Sequence, residues 1–313
     1  MHSTADIRLE NRNRLRRILW QGGEHTKQTL SRDTGLSVAT CSTLLNEMET
    51  DGEAVGAKRR LGDVGRSSVV YRANEEKNHI LCLHCDFIGG RPVQSWAVMT
   101  LTGRILQQSL MQPQENITAQ SLCQTASSLV QADPAIDRIM LGIPGVVEED
   151  HVRYCDIPAL TDQPLRTLMQ QETQRDVHME NDMHYRIYGY AGMHAGPDDV
   201  LTLCNWNTGV VPGVVTFHKG MILTGQNLFA GCAVLLPEGS VESAVLCLIS
   251  LLNPGVMVLS GDRFTPESIP HMIEFCQKSI PQAYLPRFAY AQDTEDEYLS
   301  GMRQRALDLK CRH

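Results

Sequence analysis

Hydrophobic positions recur at helical spacing through the first fifty residues and then change to the short alternating runs of strands. In "DIRLENRNRLRRILWQGG", Ile7, Leu15, Ile18 and Leu19 keep helical spacing until Gly22-Gly23, which predicts a first helix. "TKQTLSRDTG" predicts a second, opened by Thr26 as N-cap and stopped by Gly35. "LSVATCSTLLNEMETDG" predicts a third, from Ser37 as N-cap to Gly52. Cys41, Leu44, Leu45 and Met48 fall on one face of this third helix, and Ala39, Thr40, Thr43 and Asn46 on the other. Next, "EAVGAKRRLGDVGRSSVVYRAN" reads as two short strands around a loop that holds Lys58, Arg59, Arg60 and Arg66.

Beyond Asn78 the pattern alternates. "HILCLHCDF", "RPVQSWAVMTLTG", "RIMLGIPGVV", "DVHMEND", "DVLTLCNWNTGVVPGVVTFHKGMIL" and "GVMVLSGD" read as strands. "AQSLCQTASSLVQAD", "PLRTLMQQETQRD" and "SVESAVLCLISLLN" read as the helices between them. This alternation predicts an α/β body with helices packed on its sheets. The expected division is a head at residues 1–73, a linker at 74–78 and a body at 79–313.

Charge divides the chain in the same place. The net charge of 313 residues is −8, yet residues 1–73 hold 12 Lys/Arg against 9 Asp/Glu, so the excess of acid lies in the body. A basic module ahead of an acidic body suggests that the front end meets a polyanion. Two short helices joined through "TGLS" make a helix-turn-helix, and the small, polar outer face of the third helix suits the major groove. Ser37, Ala39, Thr40, Thr43 and Asn46 are therefore the candidates for base-edge contact. Lys58, Arg59, Arg60 and Arg66 are candidates for phosphate or minor-groove contact from a wing.

Composition narrows the class further. The longest apolar tract, "AVLCLISLL", is too short to cross a bilayer, and the N-terminus has no segment resembling a signal peptide. A cytoplasmic protein with no membrane partner is expected, nucleoid-associated when bound to DNA. Ten cysteines without paired spacing fit free thiols; Cys82 and Cys85, three apart on a strand, should face opposite ways. Cys232 and Cys247 are expected in the core.

The order of these stretches resembles the ROK family (repressor, open reading frame, kinase) in its regulator form. "GRSSVVYRAN" resembles that family's wing, "LGIPGVV" its Gly-x-Pro-Gly turn, and "MENDMHYRIYG" its Glu-Asn-Asp motif. "NTGVVPGVVTFHKGMILTGQNLFAG" resembles its glycine-rich hairpin, "LLNPGVMVLSGD" the strand before its adenosine pocket, and "DEYLSGMRQRALDLK" its closing helix. The resemblance implies a winged helix-turn-helix followed by an actin/hexokinase-like, ribonuclease H-like body of two lobes. One lobe would take in about 79–180 plus the C-terminal helix, the other about 181–295. It also implies ligand contacts from Glu180, Asn181, Asp182 and Gly145, with Asp182 at the place of the family's catalytic base.

The chain departs from the kinase pattern in three places. "HCDFIGGRPV" has Asp86 and Gly89 near the first phosphate turn but Arg91 where Thr is usual. In "NTGVVPG", Asn207 and Val211 replace glycines, and Pro212 has no N–H to offer a phosphate. "AGCAVL" has Cys232 at the sugar-binding Glu and Leu235 at the zinc-binding His, and the cysteine-rich zinc loop is missing. From these departures no catalytic residue, cofactor or metal, and no enzymatic activity, is expected. Asp182 is left between ligand binding and a simple helix cap. The expected function is a DNA-binding transcription regulator, most simply a repressor of carbohydrate-related genes. Its expected partners are an inverted-repeat operator, a second copy of the chain or more, and a sugar or sugar-derived effector. The alternative is an ATP-dependent sugar kinase with an added DNA-binding domain.

Overall fold

Hydroxyl caps set where the first helices begin. The computed structural model describes residues 3–59, 68–114, 116–196, 199–233, 240–292 and 294–311. Ser3 and Asp6 form a capping box on α1 (Thr4–Leu19). A short strand, β1 (His25–Thr26), leads into α2 (Lys27–Thr34), capped by Thr26 and ended by Gly35 in the left-handed region at φ 72°. Ser37 caps α3 (Val38–Thr50). Then β2 (Ala54–Arg59) and β3 (Ser68–Ala73) pair antiparallel, with β1 on the far edge of β3. Leu15, Leu19, Leu30, Leu45 and Met48 close the core of this head.

Ile7 departs from expectation, being 51% exposed. Its half of α1 is held to the end of α3 by charge rather than by apolar contact. Arg8 pairs with Glu47, Arg12 with Asp51 and Glu53, and Arg16 with Glu53.

The body begins with β4 (His79–Ile88), β5 (Arg91–Met99), β6 (Ile105–Gln108) and β7 (Gln112–Pro113), paired antiparallel. α4 (Ala119–Ala132) crosses over to β8 (Ile136–Ile143), which runs parallel to β4. β9 (Gly145–Glu148) and β10 (His151–Cys155) form a hairpin, and α5 (Leu165–Thr173) leads to β11 (Asp176–Asn181), parallel to β8. The first sheet thus has the order β11-β8-β4-β5-β6, with β7 beside β5. Cys82 and Cys85 do face opposite sides of β4, each in a different apolar cluster.

α6 (Asp182–His194) leaves the end of β11 and is followed by the second sheet. Its strands are β12 (Val200–Asn205), β13 (Gly213–His218) and β14 (Met221–Ile222), then, after α7 (Val241–Leu252), β15 (Val256–Ser260). α8 (Ser268–Gln277) precedes the edge strand β16 (Arg287–Ala291), giving the order β14-β13-β12-β15-β16. Cys247 is exposed on the outer side of α7, and Cys232 is half-buried, so neither belongs to the fully buried core expected for them. The buried side of α7 is filled by Ala244, Val245, Leu248 and Ile249 instead.

The last helix, α9 (Glu295–Lys310), ties the parts together. It crosses α6 at backbone contact, because a Cβ on Gly189 would lie 1.7 Å from the Glu297 carbonyl oxygen and one on Gly301 1.8 Å from that of Tyr185. Further along, Arg303 donates from Nε to the Leu101 carbonyl at 2.8 Å and from Nη2 to the Trp20 carbonyl at 2.6 Å. Asn13 Nδ2 donates to the Cys311 carbonyl at 2.6 Å. One cluster of buried side chains runs from Leu15 and Leu45 through Tyr71 and Ile80 to Tyr298, Met302 and Leu307. Head and body share a core. No helix of the described residues is long and apolar enough to cross a membrane.

Candidate nucleic-acid face and ligand cleft

On α3, burial and exposure divide by face. Cys41, Leu44, Leu45 and Met48 are inside, while Ser37, Ala39, Thr43 and Asn46 are exposed and Thr40 is half-buried. The hydroxyls nearest the start of the helix are occupied locally. Ser37 Oγ accepts from the Thr40 N–H at 3.1 Å and sits 2.9 Å from Thr40 Oγ1, and Thr43 Oγ1 donates to the Ala39 carbonyl at 3.2 Å. Asn46, one turn on, has no side-chain hydrogen bond among the described residues, so both its donor and its acceptor face outward.

The basic residues are less free than their count suggests. Arg8, Arg12 and Arg16 are neutralised by α3 and its C-terminal flank, and Lys27 Nζ donates to Ser42 Oγ at 2.7 Å. Lys58 and Arg59 are exposed at the end of β2, with Arg59 paired to Glu24 at 3.0 Å. Arg60 and Arg66 lie outside the described residues.

A cavity of about 70 Å³ opens between the two sheets of the body, walled on one side by Asp86, Gly145, Tyr154, Asp156 and Asp182. Gly145 is required there, since a Cβ would lie 2.1 Å from the Tyr154 carbonyl oxygen. The capping role belongs to Asn181, not to Asp182. Asn181 Oδ1 accepts from the Met183 N–H at 2.9 Å, and its Nδ2 donates to the Gly145 carbonyl at 2.6 Å. Asp182 is the first helical residue and is only 6% exposed. Burial pushes its carboxyl up to about 7, the Arg186 guanidinium opposes this, and the Asp86 and Asp156 charges reinforce it.

Arg186 is the cation behind this wall. Its Nη2 donates to Asp86 Oδ2 at 2.5 Å, Nη1 bonds Thr294, and the guanidinium lies 4.4 Å from the centre of the Tyr298 ring. Sequence reading missed it, although its place four residues after Asp182 on a helix was a usable signal. Glu180, expected beside the ligand, does not line the cavity. It accepts from His178 at 2.7 Å and from Arg305 Nε at 3.0 Å. Burial pushes its carboxyl up, but His178 and Arg305 outweigh this and hold it at about 2.

The two turns expected near phosphate meet beyond Asp86. Gly89 and Gly90 form the β4–β5 turn in the left-handed region, and a Cβ on Gly90 would lie 3.1 Å from the Thr208 carbonyl oxygen. Thr208 donates from both N and Oγ1 to Asp262 Oδ1, at 2.6 and 3.0 Å, and the Asp262 N–H donates to Asn207 Oδ1 at 3.0 Å. A second cavity of about 410 Å³, lined by Gly89, Arg186, Asn207, Asp262 and Thr294, lies on this side. Cys232 lines the first cavity, and Leu235 is outside the described residues. Among the described residues no cluster of three His, Cys, Asp or Glu side chains is arranged to hold a metal ion.

No family model matches the chain, and no curated protein sequence does. Solved structures do match. A ROK family transcriptional regulator, a homolog of the E. coli MLC protein, superposes with a TM-score of 0.69 at 14% identity, covering 96% of this chain and 97% of its own. The chain has the ROK fold. A ROK hexokinase from Thermus thermophilus matches at TM-score 0.55 and 17% identity over 74% of this chain and 99% of its own. A ROK glucokinase from Streptomyces griseus, in complex with glucose and AMPPNP, matches at 0.53 and 15% over 73% and 99%. The regulator thus extends over almost the whole chain and the kinases over about three quarters of it.

These kinases correct the expectation that the chain is not an enzyme. That expectation rested on residue changes in two glycine turns and in the "AGCAVL" stretch with its missing zinc loop. Phosphoryl transfer depends mainly on positioning by the whole scaffold, and kinases share this scaffold over nearly their full length.

Proposed function

We propose that the chain is a sequence-specific DNA-binding transcription regulator, most simply a repressor of carbohydrate-related genes in the bacterial cytoplasm. Its head is a winged helix-turn-helix in which α2 and α3 form the motif and β2–β3 the wing. The observation that carries this reading is the outer face of α3, where Ala39, Thr43 and Asn46 are small or polar, exposed and not covered by the body. The near-complete match to a regulator supports it. Thr40, Thr43 and Asn46 would read base edges in the major groove, while Lys58, Arg59, Arg60 and Arg66 would contact phosphates or the minor groove. The body would join two or more copies, set two heads about one helical turn apart and hold a sugar or sugar derivative in the cleft. Titration of mixed duplex DNA into labelled protein at low ionic strength tests this; the expected result is saturable binding that weakens steeply with salt. Protein that ignores every duplex under those conditions overturns it.

A second reading, an ATP-dependent sugar kinase with an added DNA-binding head, is favoured by one observation. Asp182 is a carboxyl in the cleft whose burial brings it close to neutral pH, where a general base works best. Phosphorylation of a hexose by ATP, abolished in Asp182→Asn, establishes that reading; no turnover with any hexose removes it.

A further inference from the structure

Charge in the cleft does not balance. Asp86, Asp156 and Asp182 line the cavity, and among the described residues no lysine or arginine does. Arg186 stands behind the wall and is largely spent, with Nη2 on Asp86 and Nη1 on Thr294. Its Nε lies 3.7 Å from Asp182 Oδ2, beyond hydrogen-bond reach, and has no hydrogen-bond partner among the described residues. The Asp182 carboxylate, only 6% exposed, accepts from the Met183 backbone N–H but, among the described residues, from no side chain. Among the described residues Asp156 accepts only from the Tyr154 hydroxyl, at 3.4 Å. His184 also lines the cavity, but burial pulls it toward its neutral form.

One guanidinium therefore answers three carboxyl groups, and with so little compensation burial raises both Asp156 and Asp182 above the ordinary carboxylate range. Burying carboxylates with few donors costs free energy, which a fold retains where a ligand supplies further partners. A neutral sugar offers hydroxyl donors but leaves the net charge uncompensated. An ammonium group offers donors and the opposite charge together.

We propose that the ligand of this cleft is cationic, an amino sugar whose free ammonium group sits between Asp156 and Asp182. This rests on the sugar-sensing reading above and names the ligand class of that same site. Asn205 and Asn207, on the other wall, are left for the hydroxyls. Asn207 Oδ1 already accepts from the Asp262 N–H, so its amide group is the part that remains to donate.

The test is calorimetry at neutral pH on the full chain with four probes. D-glucosamine and 6-amino-6-deoxy-D-glucose carry the ammonium; D-glucose and N-acetyl-D-glucosamine are their neutral counterparts. At least one amino sugar is expected to bind about tenfold more tightly than its neutral counterpart. Asp156→Asn, which keeps the side-chain shape, is expected to bring the affinity for the amino sugar to within about twofold of that for its neutral counterpart. Equal binding of amino and neutral sugars by the wild type overturns the charge inference and leaves the sugar reading standing. Binding of none of the four overturns the sugar reading and the inference with it. Because the comparison among probes uses the wild type, it stands even where the variant folds poorly.

Discussion

Replacing Arg303 by Met removes two hydrogen bonds and keeps most of the side chain's bulk. The guanidinium reaches from α9 to the carbonyls of Leu101 in the body and Trp20 in the head, both residues being nearly inaccessible. Hydrogen bonds from a charged donor contribute about 1.5–3 kcal/mol each. Part of that is returned, because burial already disfavours the charged form of Arg303. The net loss in Arg303→Met is about 2 kcal/mol, which for a chain of this size lowers Tm by about 3 °C. Differential scanning calorimetry measures it. The shared core also predicts that head and body melt in one transition, in the wild type and in the variant. A Tm unchanged within about 1 °C, or a wild-type head that melts separately and first, refutes the reasoning.

Asn46→Ala should weaken binding to a selected operator by about 1–3 kcal/mol and relax the choice of base at one position, read by gel shift against a set of single-base variants. Lys58→Gln and Arg59→Gln should each flatten the dependence of log affinity on log salt by about one unit while leaving the preferred sequence unchanged. Asp182 should make stability fall as pH rises. Its carboxyl is raised to about 7 in the folded chain, so the native state keeps a proton that the unfolded state loses nearer the ordinary carboxylate range. Its contribution is full below that range and is lost as pH climbs through about 7, at a cost of roughly 2–4 kcal/mol. Asp182→Asn should therefore be stabilised relative to wild type at pH ~8 more than at pH ~5, measured by denaturant melts.

What the sequence disclosed was local. The caps at Ser37 and Thr26, the stop at Gly35 and the buried stripe of α3 are read within one turn of helix, and the structure has them where spacing places them. α8 was missed because Pro270 interrupts its pattern, though a proline is tolerated in a first turn. β16, a half-buried edge strand that begins at Arg287, carries too weak an alternation to stand out. Ile7 keeps helical spacing but lies outside the core, because an arginine row on α1 meets acidic groups at the end of α3, about 39 residues away in the chain.

The cleft was legible only in part for the same reason. Asp182 was found from its motif, yet its burial, its distance from Arg186 and the presence of Asp156 depend on the packing of two sheets. The capping role went to Asn181 because its Oδ1 can accept from Met183 while its Nδ2 holds the Gly145 carbonyl, a pairing across 36 residues. Asp262 closing on the Thr208 turn is likewise a contact between residues 54 apart, with no local trace.

The claim on which the account rests is that the outer face of α3 reads duplex DNA. Selection of bound fragments from a random duplex library, run in parallel with wild type and Asn46→Ala, tests it most directly. The account predicts an enriched inverted repeat with half-sites about one helical turn apart, altered at one position in each half by Asn46→Ala. A library that stays random after repeated rounds, or an enriched site unaffected by Asn46→Ala together with changes at Thr40 and Thr43, contradicts it.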